Sequence, residues 1–327
     1  MLKQITEKAL KNEPLSDADV QILINWDEEN IAELCEGADS IKRKFFGNTV
    51  AFCSIINAKS GKCTEDCAFC AQSSFHDTEA PEYAFLDPQE IDIQAGKAAK
   101  AGSSRYGIVA SGKTMTDDEF SRLKESVTLV RKQGLVPDVS VGILSKERLE
   151  ELYACGARGL HHNLEVARSF FSEICTTHSY EEDVQAVRHG LECGYYVCSG
   201  GIFGLGESWE QRVELALTLK ELDVHSVPVN FLHPIAGTRM ADQDVLSPQE
   251  ALKIVALYRY LLPTKHIRVC GGRSTVFEVE ESSAVLTCGA SGMMVGDYLT
   301  TKGAQLEHDR QCIADLDLQL DSADSYA

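Results

Sequence analysis

The chain has 327 residues, 44% of them hydrophobic, a length that fits two average domains or one large α/β barrel with a substantial core. Its 31 basic and 50 acidic residues give a net charge of -19, which argues against a surface for nucleic acid or anionic membrane. The N-terminal stretch MLKQITEKALKNEPLSDADV has no apolar signal core, and no run approaches the roughly 18 apolar residues of a spanning helix, so a cytoplasmic location is expected. Twelve cysteines in a reducing compartment then point away from disulfides and toward metal binding for some and core packing for the rest.

Residues 1–48 form the first unit, expected to be helical, with Ser16 placed as a cap before an amphipathic run. After it, apolar runs alternate with helical periods. The strand candidates are 49–56, 105–111, 137–143, 159–165, 195–203, 226–232, 266–272 and 292–299. Between them lie helical patterns such as DDEFSRLKESVTLVRKQG and SWEQRVELALTLKELD. Eight strands with intervening helices predict an α/β fold, a (βα)8 TIM-type barrel over 49–302 with an N-terminal helical extension. The remaining 303–327 are expected to be a tail, mobile in its last part.

The stretch GKCTEDCAFCAQSS, residues 61–74, carries Cys63, Cys67 and Cys70. Structural zinc usually takes four protein ligands, whereas an iron–sulfur cubane held by three cysteines keeps one iron open. This Cys-x3-Cys-x2-Cys spacing resembles the signature of the radical S-adenosylmethionine enzymes, in which the open iron of a 4Fe-4S cluster chelates S-adenosylmethionine. On a barrel the loop would sit at the carboxyl end of the first strand, where active sites are built. At the end of the fifth strand SGGIFGLGE offers Gly201, Ile202, Gly204 and Glu207 in a run that resembles the G-x-I-x-G-x-x-E pattern flanking the adenine in such enzymes. Read from the residues alone, the glycines permit close approach of a ligand, and Glu207 could instead cap the helix that follows.

From about residue 49 to 301 the chain resembles the biotin synthase family. The resemblance rests on CSIINAKSGKCTEDCAFCAQSS, HHNLEVARSFFSEICTTHSYEEDV, VCSGGIFGLGE, VPVNFLHPIAGT, IRVCGGR and YLTT. It implies a sulfurtransferase that closes dethiobiotin into biotin by inserting sulfur at two unactivated carbons. The radical that starts the reaction would come from S-adenosylmethionine, with reduced flavodoxin or ferredoxin as electron donor and a homodimer as the assembly. Asn163 and Glu165 fall where family members contact the ribose, Glu165 being one methylene longer than the usual aspartate. His161 stands where many members have a second asparagine. Asn230 takes the position of the asparagine that meets the ureido ring, although the residues alone favour a strand-end amide satisfying local backbone.

The chain departs from better-known members at their auxiliary 2Fe-2S cluster, which is held by three cysteines and an arginine. Cys198 and Arg268 align with two of those positions, but Gly107 and Asp138 take the other two. Cys53 on the first strand and Cys270 on the seventh offer an alternative. We therefore expect an auxiliary iron–sulfur cluster of uncertain type on Cys53, Cys198 and Cys270 with Arg268 nearby, as in the branch of the family with an atypical sulfur-donating cluster. Cys198 and Arg268 are then the catalytic candidates, with buried core cysteines as the plainer reading. Cys175 is a reserve ligand. Cys35, Cys155, Cys193 and Cys312 read as packing or surface residues, and Cys288 as structural. Among rivals, an iron-only hydrogenase maturase shares the barrel and the three-cysteine loop, and an iron–sulfur electron-transfer or redox-sensing protein would not cleave S-adenosylmethionine.

Overall fold

The computed structural model describes residues 1–296 and 306–321. Ten strands occur among them: β1 (Thr49–Lys59), β2 (Arg105–Ala110), β3 (Val136–Ser140), β4 (Gly159–His161), β5 (Tyr196–Cys198), β6 (Gly201–Phe203), β7 (Ser226–Phe231), β8 (His266–Val269), β9 (Gly292–Met294) and β10 (Gln319–Leu320). Parallel pairing runs β1-β2-β3-β4-β5-β7-β8-β9 and returns from β9 to β1, closing the expected barrel. The run 195–203, expected as one strand, is divided into β5 and β6. A side chain at Gly200 would put its β-carbon 2.1 Å from the Pro228 carbonyl oxygen, so this strand bends where it presses on its neighbour. The motif at 298–301 and the end of the eighth candidate strand lie outside the described residues.

Each expected helix forms for a local reason. Thr116 and Glu119 make a capping box on Asp117–Lys132, and Ser208 and Gln211 make one on Trp209–Glu221. Ser16 caps Asp17–Ile24 through the Asp19 amide. The N-terminal helices Leu2–Leu10 and Ile31–Phe46 lie against Pro248–Leu261, with Thr6 and Tyr260 hydroxyls 2.9 Å apart. Apolar residues from the barrel and its helices form one continuous buried core.

Two observations bear on the chain's ends. Helix Leu306–Asp315 is tied to the barrel by a buried bidentate pair, Arg273 to Asp309 at 2.7 Å on both oxygens, and β10 extends the start of β1. The expectation that no cysteines pair as disulfides is corrected at one place. Cys35 is bonded to Cys288, because packing of Ile31–Phe46 on the segment Val279–Thr287 brings together two residues that read separately as packing and structural. No helix among the described residues is long and apolar enough to cross a membrane.

Candidate active site

The three-cysteine loop follows β1 and is pinned from both sides. The amide of Cys63 donates to Gln72 O at 3.0 Å, that of Ser74 to Cys63 O at 2.8 Å, and that of Cys70 to Cys67 O at 3.0 Å. Asp66 accepts from the Thr176 amide at 2.8 Å and Ala68 N–H donates to Ile174 O at 2.9 Å, so the loop is docked on the segment after β4. Lys62 has φ +52°, a left-handed backbone that an L residue seldom adopts. Burial pushes the Cys70 thiol up to about 11, with Cys63 adding to the effect. Half-buried thiols gathered on one loop ionise when a cation shares their charge, and that suits a metal cluster.

Docking also brings Cys175 to the loop, its Sγ 3.9 Å from Cys67 Sγ. The Cys175 thiol is pulled down to about 4 by its hydrogen bond with Cys67, then by His178. His178 Nδ1 lies 3.2 Å from that sulfur and 2.5 Å from Glu65 Oε2, and its Nε2 is 3.1 Å from Asp183. Burial opposes the imidazolium, but Asp183 and Cys175 hold His178 protonated, up to about 11. Asp183 bonds His162 as well, at 2.9 Å. Sequence reasoning kept Cys175 as a reserve ligand and missed Glu65, His178 and Asp183. The available signals were the clustering of Cys175, His178 and Asp183 in ICTTHSYEED and the place of Glu65 inside the three-cysteine loop.

The nucleoside-side candidates divide into two groups. Asn163 and Glu165 line the interior cavity, with Asn163 Nδ2 donating to Glu165 Oε2 at 3.4 Å and Gly200 N–H donating to Asn163 Oδ1 at 3.2 Å. Glu165 has φ +61°, held there because its carbonyl accepts from the Ile202 amide at 2.8 Å and its own amide donates to Gly200 O at 3.2 Å. Burial raises its carboxyl to about 8, with Asp183 adding repulsion. The second group shapes the turn behind them. Glu207 accepts from the amides of Gly204 and Leu205 at 3.0 and 2.8 Å and from Arg212 Nε at 2.8 Å. Ser208, not Glu207, caps the next helix. Gly201 admits no side chain, since a β-carbon would meet Glu165 O at 2.3 Å. Gly201, Ile202, Gly204 and Glu207 are absent from the cavity lining.

Below this rim the barrel encloses a cavity of about 160 Å³, lined by Cys53, Cys198, Cys270, Arg268 and Asn230 among others. Cys53 and Cys270 hydrogen-bond each other, and that bond lowers Cys53 and raises Cys270 while Arg268 favours both thiolates. Burial lifts Cys198 to about 11, against the pull of Arg268. Arg268 is oriented by Ser226, Nε to Oγ at 2.9 Å, and by Tyr196 at 3.5 Å. Soft sulfur donors beside one guanidinium suit a second cluster. Asn230 donates to Gly201 O at 3.1 Å and accepts from the Gly271 amide at 2.9 Å, so backbone takes half of its capacity.

The opposite wall explains Gly107 and Asp138. Arg105 Nε and Nη2 donate to Asp138 at 2.8 and 2.6 Å, and His161 Nε2 lies 3.0 Å from the same carboxylate. Burial alone would raise Asp138, but Arg105 and His161 drive it far below the usual range. Gly159 makes room, because a β-carbon there would stand 2.1 Å from Asp138 Oδ1. At Gly107 a β-carbon would press on Ile55 Cγ2 at 3.0 Å and touch the His161 ring at 3.6 Å, so there is little room for a longer side chain. Of the two positions that could have carried ligands, Asp138 instead forms a buried ion pair with Arg105 and bonds His161, while Gly107 lies beside them.

Residues 58–219 match the Radical SAM superfamily and 228–319 the Biotin and Thiamin Synthesis associated domain. The chain is 44% identical to the biotin synthase of Geotalea daltonii over 98% of each chain, and 50% identical to that of Geobacter metallireducens over 86% of each. Among solved structures it superposes on methylornithine synthase with a TM-score of 0.86, 19% identity and 98% coverage of each chain. It superposes on the FeFe-hydrogenase maturase HydG of Carboxydothermus hydrogenoformans at 0.82 and 19%, covering 97% of this chain and 78% of that one. Those two likenesses speak for the fold, and the near-full-length identities decide the family: this chain belongs to the biotin synthases.

Proposed function

We propose that the chain converts dethiobiotin to biotin by radical sulfur insertion, with sulfur drawn from an auxiliary iron–sulfur cluster on Cys53, Cys198 and Cys270. The observation that carries this reading is the convergence of those three cysteines and Arg268 in one cavity that also holds Asn163, Glu165 and Asn230, beneath the loop of Cys63, Cys67 and Cys70. When bound, a 4Fe-4S cluster on the loop supplies the electron that cleaves S-adenosylmethionine, and the auxiliary cluster supplies sulfur.

The chain's own residues prepare the ground. Asn163 and the strained Glu165 are the ribose contacts, positioned by backbone that cannot relax without breaking the link to β6. Asn230 retains one amide hydrogen and one lone pair for the ureido ring after its two backbone bonds. Gly201, Ile202, Gly204 and Glu207 form the turn against which adenine is placed, with Glu207 locking the turn through Arg212. Arg268 holds positive charge beside the thiols that would carry the sulfur-donating cluster. The dry interior keeps water from the reacting carbon. Reduced flavodoxin or ferredoxin as donor, a homodimer and a cytoplasmic location accompany this reading.

The test is an anaerobic assay of reconstituted protein with dethiobiotin, S-adenosylmethionine and a reductant, following biotin and 5'-deoxyadenosine together. Biotin formed without added sulfide supports a protein-borne sulfur source. If 5'-deoxyadenosine forms without biotin even when sulfide is present, the substrate assignment fails.

A further inference from the structure

The far end of the barrel, where the strands begin, carries an opening of about 680 Å³. Its rim comes from residues just ahead of the strands: Arg158 before β4, His225 before β7, and Lys265 with His266 at β8. Tyr196 is the one residue shared by this lining and that of the interior cavity. From the cavity side Arg268 bonds its hydroxyl at 3.5 Å and the Arg105 guanidinium stands 4.5 Å from the ring centroid. From the outer side His225 stacks on it, centroids 5.1 Å apart and planes 29° off parallel. Tyr196, with Arg105 and Arg268 packed on its inner side, thus stands between the thiol-lined cavity and the floor opening.

The opening also has the wrong sign for the molecule that carries it. On a chain of net charge -19, its lining contains no carboxylate. The nearby Asp223 is matched to Lys265, and Arg158 has no carboxylate within ion-pair distance among the described residues. Arg158 is fixed instead by donating Nη1 to the Tyr153 and Ala157 carbonyls, both at 2.8 Å. Val197 N–H donates to His225 Nδ1 at 3.1 Å, which leaves the imidazole proton on Nε2 as a donor. At the front rim Glu65 and Asp183 are both paired to His178. A small anion is drawn to the floor by the Arg158 charge.

We propose that the floor opening is a binding and entry site for small inorganic anions, hydrosulfide above all. Tyr196 is the gate through which sulfide reaches Cys53, Cys198 and Cys270. This rests on the reading that an auxiliary cluster there gives up sulfur. It supplies what that reading lacks, a way to return sulfur that does not require the front face to empty. The gate opens by rotation of one ring whose hydroxyl bond to Arg268 is long.

The test uses reconstituted holoenzyme and isotopically labelled hydrosulfide, with native mass spectrometry following label into the auxiliary cluster while S-adenosylmethionine and dethiobiotin occupy the front. Label should enter with the front occupied, about tenfold more slowly in Arg158→Glu, in line with electrostatic focusing of an anion. Arg158→Gln, which keeps a donor for the Tyr153 carbonyl, should slow it less, and Tyr196→Ala should speed it. Entry that stops when the front is occupied and ignores Arg158→Glu would overturn the proposal. Line broadening of chloride-35 NMR, competed by hydrosulfide and reduced in Arg158→Glu, reads the anion site without any cluster chemistry. If no auxiliary cluster loads while that broadening persists, the sulfur-donor reading falls and the anion site stands; broadening insensitive to Arg158 removes the site itself.

Discussion

Two walls of the same barrel interior solve the problem of buried polarity in opposite ways. On β2, β3 and β4, Arg105, Asp138 and His161 satisfy one another inside about 3 Å, and glycines at 107 and 159 give them the space. On β1, β5 and just past β8, Cys53, Cys198 and Cys270 face the cavity with only weak bonds, Cys53 and Cys270 to carbonyls and each other and Cys198 to the Ser226 hydroxyl. A wall whose charges are already matched has nothing left to offer a ligand, while thiols with spare capacity are reactive groups in waiting. Function is therefore to be sought on the under-satisfied side.

The largest effect that could break this contrast is loss of chemistry without loss of radical formation. Cys198→Ala should lower biotin formation at least about 100-fold, roughly 3 kcal/mol in barrier, while 5'-deoxyadenosine stays detectable by chromatography. Undiminished biotin would refute a role for the thiol wall. Next comes the matched wall, where Asp138→Asn should cost about 3–5 kcal/mol in urea unfolding, because it leaves Arg105 charged and buried. A loss below about 1 kcal/mol would mean that the triad is not rigidly buried.

The rim can be read by pH. The folded carboxyl of Glu165, raised to about 8, keeps a proton that the unfolded chain releases near pH 4.3. Its stabilising contribution is full below about pH 4.3 and is lost as pH climbs to about 8. The melting temperature of cluster-free Glu165→Gln should therefore gain on that of the parent between pH 5 and 8. A constant gap would show that Glu165 is well solvated. The smallest expected change lies outside both walls. Ser208→Ala removes a helix cap and should cost about 1 kcal/mol in the same unfolding assay, and a cost near zero would mean the capping box is frayed.

The barrel was legible because strand and helix periods are local, and the cluster loop because its three cysteines fall within eight positions of chain. The cavity thiols were legible through family resemblance, since strand number tells which residues face inward together only once the barrel is assumed. The ion triad was not. Arg105, Asp138 and His161 sit on three strands, and in sequence Asp138 reads as a missing ligand and His161 as an odd substitution. The Cys35–Cys288 bond stayed hidden for the same reason, since helix packing over a long sequence separation sets it. Asn230 shows a subtler limit. The residues alone suggested backbone satisfaction and the family suggested substrate, and the geometry leaves capacity for both.

Barrel closure by β9 on β1 has a consequence for the order in which the protein is made. A chain emerging from the ribosome completes the three-cysteine loop early, while most of the barrel is still unsynthesised. Cys53 waits for β8 and Cys270, and the seam it lies beside waits for β9 and β10. The front loop gains its docking partner once residues 174–177 have emerged, but the interior cysteines come together only after release of nearly the whole chain. Loading of the cluster proposed there would therefore be a late step, after the barrel has closed.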